Sequence, residues 1–294
     1  MTDSPHIAYI PRPLKILGIL TVVGVFAVNA MGFVDHDTHS GQGCGAQWPL
    51  CQGTVIPPFT HEAVVIEWTH RVLSLGFFLV LTAFLLGLRK HYQGQPTVMR
   101  PVVTVIVLLV AETTLCTLSV LWTLPTALLG LLAVGGLVVQ TLLARLTLGL
   151  GNPGSQDQMP SIWSRTALGM LLLYLYAGAC ASYQTLPIEW LTTGVHILGI
   201  FMAITGAVWI AGARSAGERR TAWMFAIPAL LGAALVHLNR LTVLGDLGVV
   251  LWLSWLLAAA LKGCLPPLVN RASRPALRIP TGASRTTAPL SKTR

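Results

Sequence analysis

The sequence predicts an all-α polytopic membrane protein, with eight transmembrane helices arranged as two parallel-repeat four-helix bundles. Three observations predict it. First, only 10% of the 294 residues are charged and 54% are hydrophobic, with a mean hydropathy of +0.70. Soluble domains carry about 25% charged residues, so this chain cannot cover a globular surface and takes the bilayer as its solvent. Second, apolar runs recur at lengths suited to a ~30 Å hydrocarbon core, which takes about 20 helical residues to cross. Third, lysine and arginine keep to one side of those runs.

The runs fall at roughly 14–34, 63–88, 102–122, 125–148, 166–186, 188–213, 223–243 and 246–262. The first is too long for a signal-peptide core, and no small-x-small cleavage site follows it. Short turns, "TLP" at 123–125 and "LGD" at 244–246, join spans three and four and spans seven and eight as antiparallel hairpins. Arg12, Lys15, Arg89, Lys90, Arg100, Arg145, Arg165, Arg214, Arg219, Arg220 and the seven basic residues from Lys262 onward share one side, while the alternate loops hold none. The positive-inside rule makes both termini cytoplasmic and the 35–62 loop extracytoplasmic. The net charge of +9 is therefore a topology signal. Residues 263–294 read as a disordered basic tail that meets lipid headgroups, not nucleic acid.

The chain reads as two units, residues 1–150 and 151–262. "CTLSVLWTLP" closes span three and "NRLTVLGDLG" closes span seven; His70 in span two and His196 in span six occupy matching places. Four spans per unit is an even number, so both units insert the same way, related by an axis along the membrane normal. Ligand sites of such bundles lie inside each bundle.

Three histidines lie within spans: His70, His196 and His237. Each is six to eight residues from an outer end, or about 10 Å at 1.5 Å per residue. A lone intramembrane histidine often does no more than satisfy a neighbouring carbonyl. Three at one depth, with Glu67 beside one of them, point to a shared function. Glu67 and His70 are i and i+3 and share a helix face; Arg71 lies on an adjacent one. Arg71 and Arg240 are the two basic residues that break the one-sided pattern; both fall inside spans near the outer end, and each needs an anionic partner, from the protein or from a ligand. A carboxylate, an imidazole and a guanidinium in apolar surroundings suit a haem. The imidazole would ligate iron, the arginine meet propionates and the glutamate handle protons or charge. Zinc suits the site less, for want of further thiolate or carboxylate ligands. Glu112, mid-span in span three, is a secondary candidate.

Cys44 and Cys51 fall in the extracytoplasmic loop, where disulfides persist. Closing this loop would contribute about 2–3 kcal/mol, which favours a structural staple. A redox pair is the alternative, although the spacing is wide for one. Cys116, Cys180 and Cys264 read as packing.

The stretch "GQGCGAQWPLCQGTVIPP" followed by "EWTHR" resembles the haem A synthase family, whose outer loop reads G-x-G-C-x-x-x-W-P-L-C-x-G before an E-x-x-H-R opening of span two. The resemblance implies that Cys44 and Cys51 are the outer-loop pair, disulfide-bonded or redox-active. It makes Glu67 the catalytic carboxylate near the reacting methyl, and His70 the iron ligand of the substrate-bearing half. His196 would be the iron ligand that holds a haem B cofactor in the second half. The implied reaction oxidises a methyl of haem O to the formyl of haem A, for terminal oxidase assembly. The implied partners are a haem O synthase and an electron donor, in a plasma membrane. Family members also place histidines on spans four and eight; this chain has none there. His237 is the candidate replacement in the second half. The missing ligands leave open a non-catalytic haem-binding protein of oxidase assembly or electron transfer. A transporter built on a parallel repeat is a third reading, but span eight has no counterpart of Gly135-Gly136.

Overall fold

A computed structural model describes residues 10–47, 49–122, 124–150, 161–182, 189–235, 243–265 and 268. Among them are eight helices and no strand: α1 (Arg12–Asp37), α2 (Glu62–Tyr92), α3 (Pro96–Leu121), α4 (Thr126–Gly149), α5 (Ile162–Ser182), α6 (Glu189–Gly212), α7 (Ala216–Leu235) and α8 (Val243–Cys264). Five are long and apolar enough to cross a membrane: α1, α2, α4, Pro96–Ser119 of α3 and Thr193–Gly212 of α6. The chain is a multi-pass membrane protein.

Prolines mark several helix starts. Pro96 opens α3 and Pro125 precedes α4, positions where the missing N–H costs nothing because the first turn has no intrahelical acceptor for it. Side-chain caps open α7. The Glu218 N–H donates to Ser215 Oγ at 3.1 Å, while the Glu218 carboxylate accepts from the Arg214 N–H at 3.0 Å and from Trp209 Nε1 at 3.3 Å. One side chain thereby ties the end of α6 to the start of α7.

The expected turn at 244–246 is corrected. Residues 244–246 belong to α8, which begins at Val243. Gly-Asp suits the first turn of a helix as well as a hairpin turn, so the pattern did not discriminate. The described part of α7 runs from Ala216 to Leu235, earlier than the expected 223–243. His237 and Arg240, and the tail from 269 on, lie outside the described residues.

α1 packs on α2 and α4, and α3 packs on α4; α5 through α8 close a ring, α8 returning to α5. α4 joins the two groups through α5 and α8. The first group is not uniformly filled. Its apolar core runs from Leu14, Leu88, Val98 and Leu146 toward the loop end and stops at Val25, Phe77, Leu109 and Val139. Beyond that layer, the described part of α3 carries no buried residue, and α2 and α3 barely touch. At the end nearest the 38–61 loop α1 and α2 stay packed, with Ala30, Val34, Val64 and Ile66 buried, while α3 stands apart.

Candidate functional site

The loop between α1 and α2 is closed by a disulfide between Cys44 and Cys51, both fully buried. Within it, the Cys51 N–H donates to the Thr54 carbonyl at 2.8 Å and the Gln52 N–H to the Cys44 carbonyl at 3.2 Å. Gly45 and Gly53 take left-handed backbone angles, φ 70° and 83°, at low steric cost. Gly43 is needed for a different reason. A Cβ there would overlap the Ala63 carbonyl in the first turn of α2. Gly43→Ala should lift the loop off α2 and lower stability by about 1–3 kcal/mol, the usual cost of overpacking; a thermal-unfolding comparison of purified protein measures it.

The loop is held from below by two residues one helical turn apart. Glu67 is 5% exposed and accepts the Cys44 N–H on Oε2 at 2.5 Å. Its Oε1 accepts from Arg71 Nε at 3.1 Å and from Arg71 Nη2. The other guanidinium hydrogens reach back to the loop. Nη1 donates to the Gln47 and Leu50 carbonyls at 2.7 and 2.8 Å, and Nη2 to the Gly45 carbonyl at 2.8 Å. An arginine has five N–H donors, and all five are engaged. The anionic partner of Arg71 is a protein carboxylate, and the pair i, i+4 on α2 grips three carbonyls of the disulfide loop.

One turn deeper, His70 is left uncommitted. Its ring lies against Gly32 of α1, where a Cβ would sit 3.8 Å from Nε2, and no described residue hydrogen-bonds it. On α3, Glu112 is half-buried and Cys116 is exposed. Counted along their helices, His70 and Glu112 lie about 12–14 Å from the loop ends of α2 and α3. His196 is exposed on α6, which packs on α5 and α7, so the structure does not bring it to His70. Among the described residues, no three of His, Cys, Asp and Glu converge to hold a metal ion.

No family model matches the chain. Individual relatives do. The chain is 45% identical over 74 residues to a protein of Halalkalibacterium halodurans named haem A synthase. The similarity supports the haem A synthase family. A second relative of that name, from Bacillus mycoides, is 30% identical over 111 residues, covering 38% of this chain and 36% of the relative. A Thermus thermophilus protein named protohaem IX farnesyltransferase is 50% identical over 70 residues, covering 24% of this chain and 12% of that protein. The chain spans about a quarter of the length of the haem A synthases it matches at 40–45% identity.

Beside the residues that carry the likeness to haem A synthases stand others that the sequence reading passed over. Asn29 of α1 donates to Gln140 Oε1 at 2.8 Å and to the Gly136 carbonyl at 3.1 Å; Gln140 Nε2 in turn donates to Ser254 Oγ at 2.7 Å. This ladder crosses α1, α4 and α8 and joins the two helix groups. Glu112 abuts it, since a Cβ on Gly136 would come within 2.8 Å of Glu112 Oε1 and 2.7 Å of Asn29 Oδ1. The signal was available: Asn29 and Gln140 are lone amides in apolar runs, and such groups bond across helices.

Proposed function

We propose that the chain is a membrane oxidoreductase of haem A synthase type. It would convert haem O to haem A by oxidising one porphyrin methyl to a formyl group, through successive hydroxylation and loss of water. Its eight helices would then be eight spans in two parallel-related units. Residues 1–150 would carry the substrate and residues 151–262 a haem B cofactor, with 263–294 a basic tail. The alternation of basic residues supports cytoplasmic termini and an extracytoplasmic disulfide loop.

The observation that carries this reading is the uncommitted imidazole of His70. It lies against Gly32 of α1 with no hydrogen-bond partner among the described residues, one turn along α2 from the Glu67 that holds the Cys44–Cys51 loop, in the motif that resembles the family. The residues present fit a haem. One imidazole suffices where the iron arrives with four porphyrin nitrogens, whereas a bare metal ion would need a cluster. A bound haem supplies iron redox chemistry that no side chain offers. The chain's own residues bind, orient and exclude water. His70 would hold the substrate iron and His196 that of the cofactor, with His237 its second ligand. Glu67 would be the catalytic carboxylate. A carboxylate offers about four acceptor positions and three are filled here, leaving one for the substrate side. Arg71 would meet a propionate only by releasing a loop carbonyl, so its first task is to hold the loop. The relative named protohaem IX farnesyltransferase supports haem prenylation as a neighbouring step, and hence a haem O synthase as partner; an electron donor completes the scheme.

A second reading, a haem-binding protein without turnover, is favoured by the missing histidines on α4 and α8. Expression in a host that makes haem O but not haem A separates the two. Haem A, or its hydroxylated precursor, in the purified protein supports catalysis; haem B alone supports the second reading. Glu67→Ala should abolish haem A formation while haem stays bound, as read by haem extraction and mass. Haem A production by that variant would remove Glu67 from the catalytic role.

A further inference from the structure

The loop arm that follows the disulfide has a different character from the arm that grips Glu67. Residues 40–60 carry no charged side chain. Val55, Ile56 and Phe59 are 74%, 67% and 50% exposed. The arm does not rise away from the helices. Trp68 Nε1 donates to the Val55 carbonyl at 2.9 Å, and the Phe59 ring meets the Trp68 indole edge-on at 5.2 Å. Trp68 is six residues into α2, about 9 Å along the axis, so the arm folds down the side of that helix.

The side it covers is the one turned outward. Val65, Trp68, Val72, Leu75 and Leu79 are spaced i, i+3, i+7, i+10, i+14 and form one stripe. Val65, Val72, Leu75 and Leu79 are all exposed, and on a helix that crosses a bilayer such a stripe faces acyl chains. The arm continues this stripe past Trp68. Its backbone is satisfied in part: three carbonyls have partners, while the Val55, Ile56 and Phe59 N–H groups have none among the described residues. The Val55 carbonyl accepts from Trp68, the Ile56 carbonyl from Thr54 Oγ1 at 3.0 Å and the Pro58 carbonyl from the Thr60 N–H at 2.8 Å. Pro57 and Pro58 have no N–H to leave unsatisfied. Unsatisfied backbone groups are what hydrocarbon penalises most, so the N–H groups of Val55, Ile56 and Phe59 seat the arm at headgroup level, where water reaches them, and no deeper.

We propose that residues 55–59 are a membrane-seated arm, with Val55, Ile56 and Phe59 inserted into the interfacial layer of the leaflet on the loop side and the Phe59–Trp68 pair as its aromatic anchor. The partner is lipid. The proposal rests on α2 crossing the bilayer and is independent of the haem chemistry. It gives the disulfide loop two attachments, one arm to Glu67 and Arg71 and the other to the membrane surface.

Nitroxide labelling tests it on the full-length chain. In a background with Cys116, Cys180 and Cys264 replaced by serine and the disulfide intact, Val55→Cys, Ile56→Cys and, as reference, Gln42→Cys are labelled. Each is reconstituted into phosphatidylcholine–phosphatidylglycerol liposomes, and collision rates with oxygen and with a neutral nickel chelate are compared by power-saturation EPR. The expected result is an oxygen-to-nickel ratio severalfold higher at 55 and 56 than at 42. Ratios equal to that at 42 would place the arm in water and overturn the proposal. Shielding of 55 and 56 from both reagents would mean a protein cover, and would overturn it equally.

Discussion

Replacing His70 with methionine is expected, on the proposed haem A synthase reading, to cost the protein the haem of its first helix group, with loss of the corresponding Soret absorbance. The effect is large because nothing nearby substitutes. His36, His39 and His61 belong to the loop end of α1 and the start of α2, and His91 to the far end of α2. Among the described residues, no other imidazole lies at the depth of Glu112 in this group. A companion substitution separates ligation from folding. Gly32 lies against the His70 ring at ordinary van der Waals distance. Gly32→Ala should therefore be tolerated, whereas Gly32→Leu should push the ring aside and lose the same haem with the imidazole still present. Haem content measured by pyridine haemochrome, alongside thermal unfolding, reads both. A full haem complement in His70→Met would remove His70 as a ligand.

The helices were legible in the sequence wherever one force decided them. Long apolar runs flanked by basic residues became α1, α2 and α4 to α6 within about four residues of the expected limits, because lipid admits little else, while α3 begins six residues earlier than expected, at Pro96. The break ahead of α4 falls where "TLP" put it, with Thr123 itself outside the described residues: α3 ends at Leu121, and Pro125 is well placed just ahead of α4. The "LGD" turn was misread because Gly and Asp serve helix starts and turns alike. At the site, spacing put Glu67 and His70 on one face, but it did not disclose the job of Arg71. An i, i+4 pair on α2 was visible; that Gly45, Gln47 and Leu50 would turn their carbonyls toward it was not. That convergence is set by the disulfide, by the left-handed Gly45 and by Gly43 resting on Ala63, long-range facts that no local period encodes. The amide ladder from Asn29 to Ser254 spans more than 200 positions of sequence, and the chemistry of each residue announces only that it needs a partner.

Arg71→Leu is expected to be the most destabilising single change in the loop region, by about 3–5 kcal/mol, the cost of leaving a buried charge unpaired. The carboxylate it abandons is 6% exposed at the side chain, and Arg71 itself is 12% exposed, so water cannot replace the guanidinium. An exposed i, i+4 pair would be worth only about 0.3–0.5 kcal/mol, and the size of the loss therefore decides between a surface pair and a clamp. Arg71→Lys should recover only part of it, since an ammonium has three donors on a single atom and cannot span Glu67 and three carbonyls. The disulfide still limits the loop, so the change should appear first as local detachment: faster hydrogen exchange at Cys44, whose N–H is held by Glu67, ahead of global unfolding. Combining Glu67→Gln with Arg71→Leu should cost less than the sum of the two single changes, because the amide keeps an acceptor for the Cys44 N–H while removing the orphaned charge. Neighbouring residues of one network show coupling of about 0.5–3 kcal/mol. Strict additivity in that cycle would mean that Glu67 and Arg71 hold the loop independently, and the clamp would then have to be divided into two separate contacts.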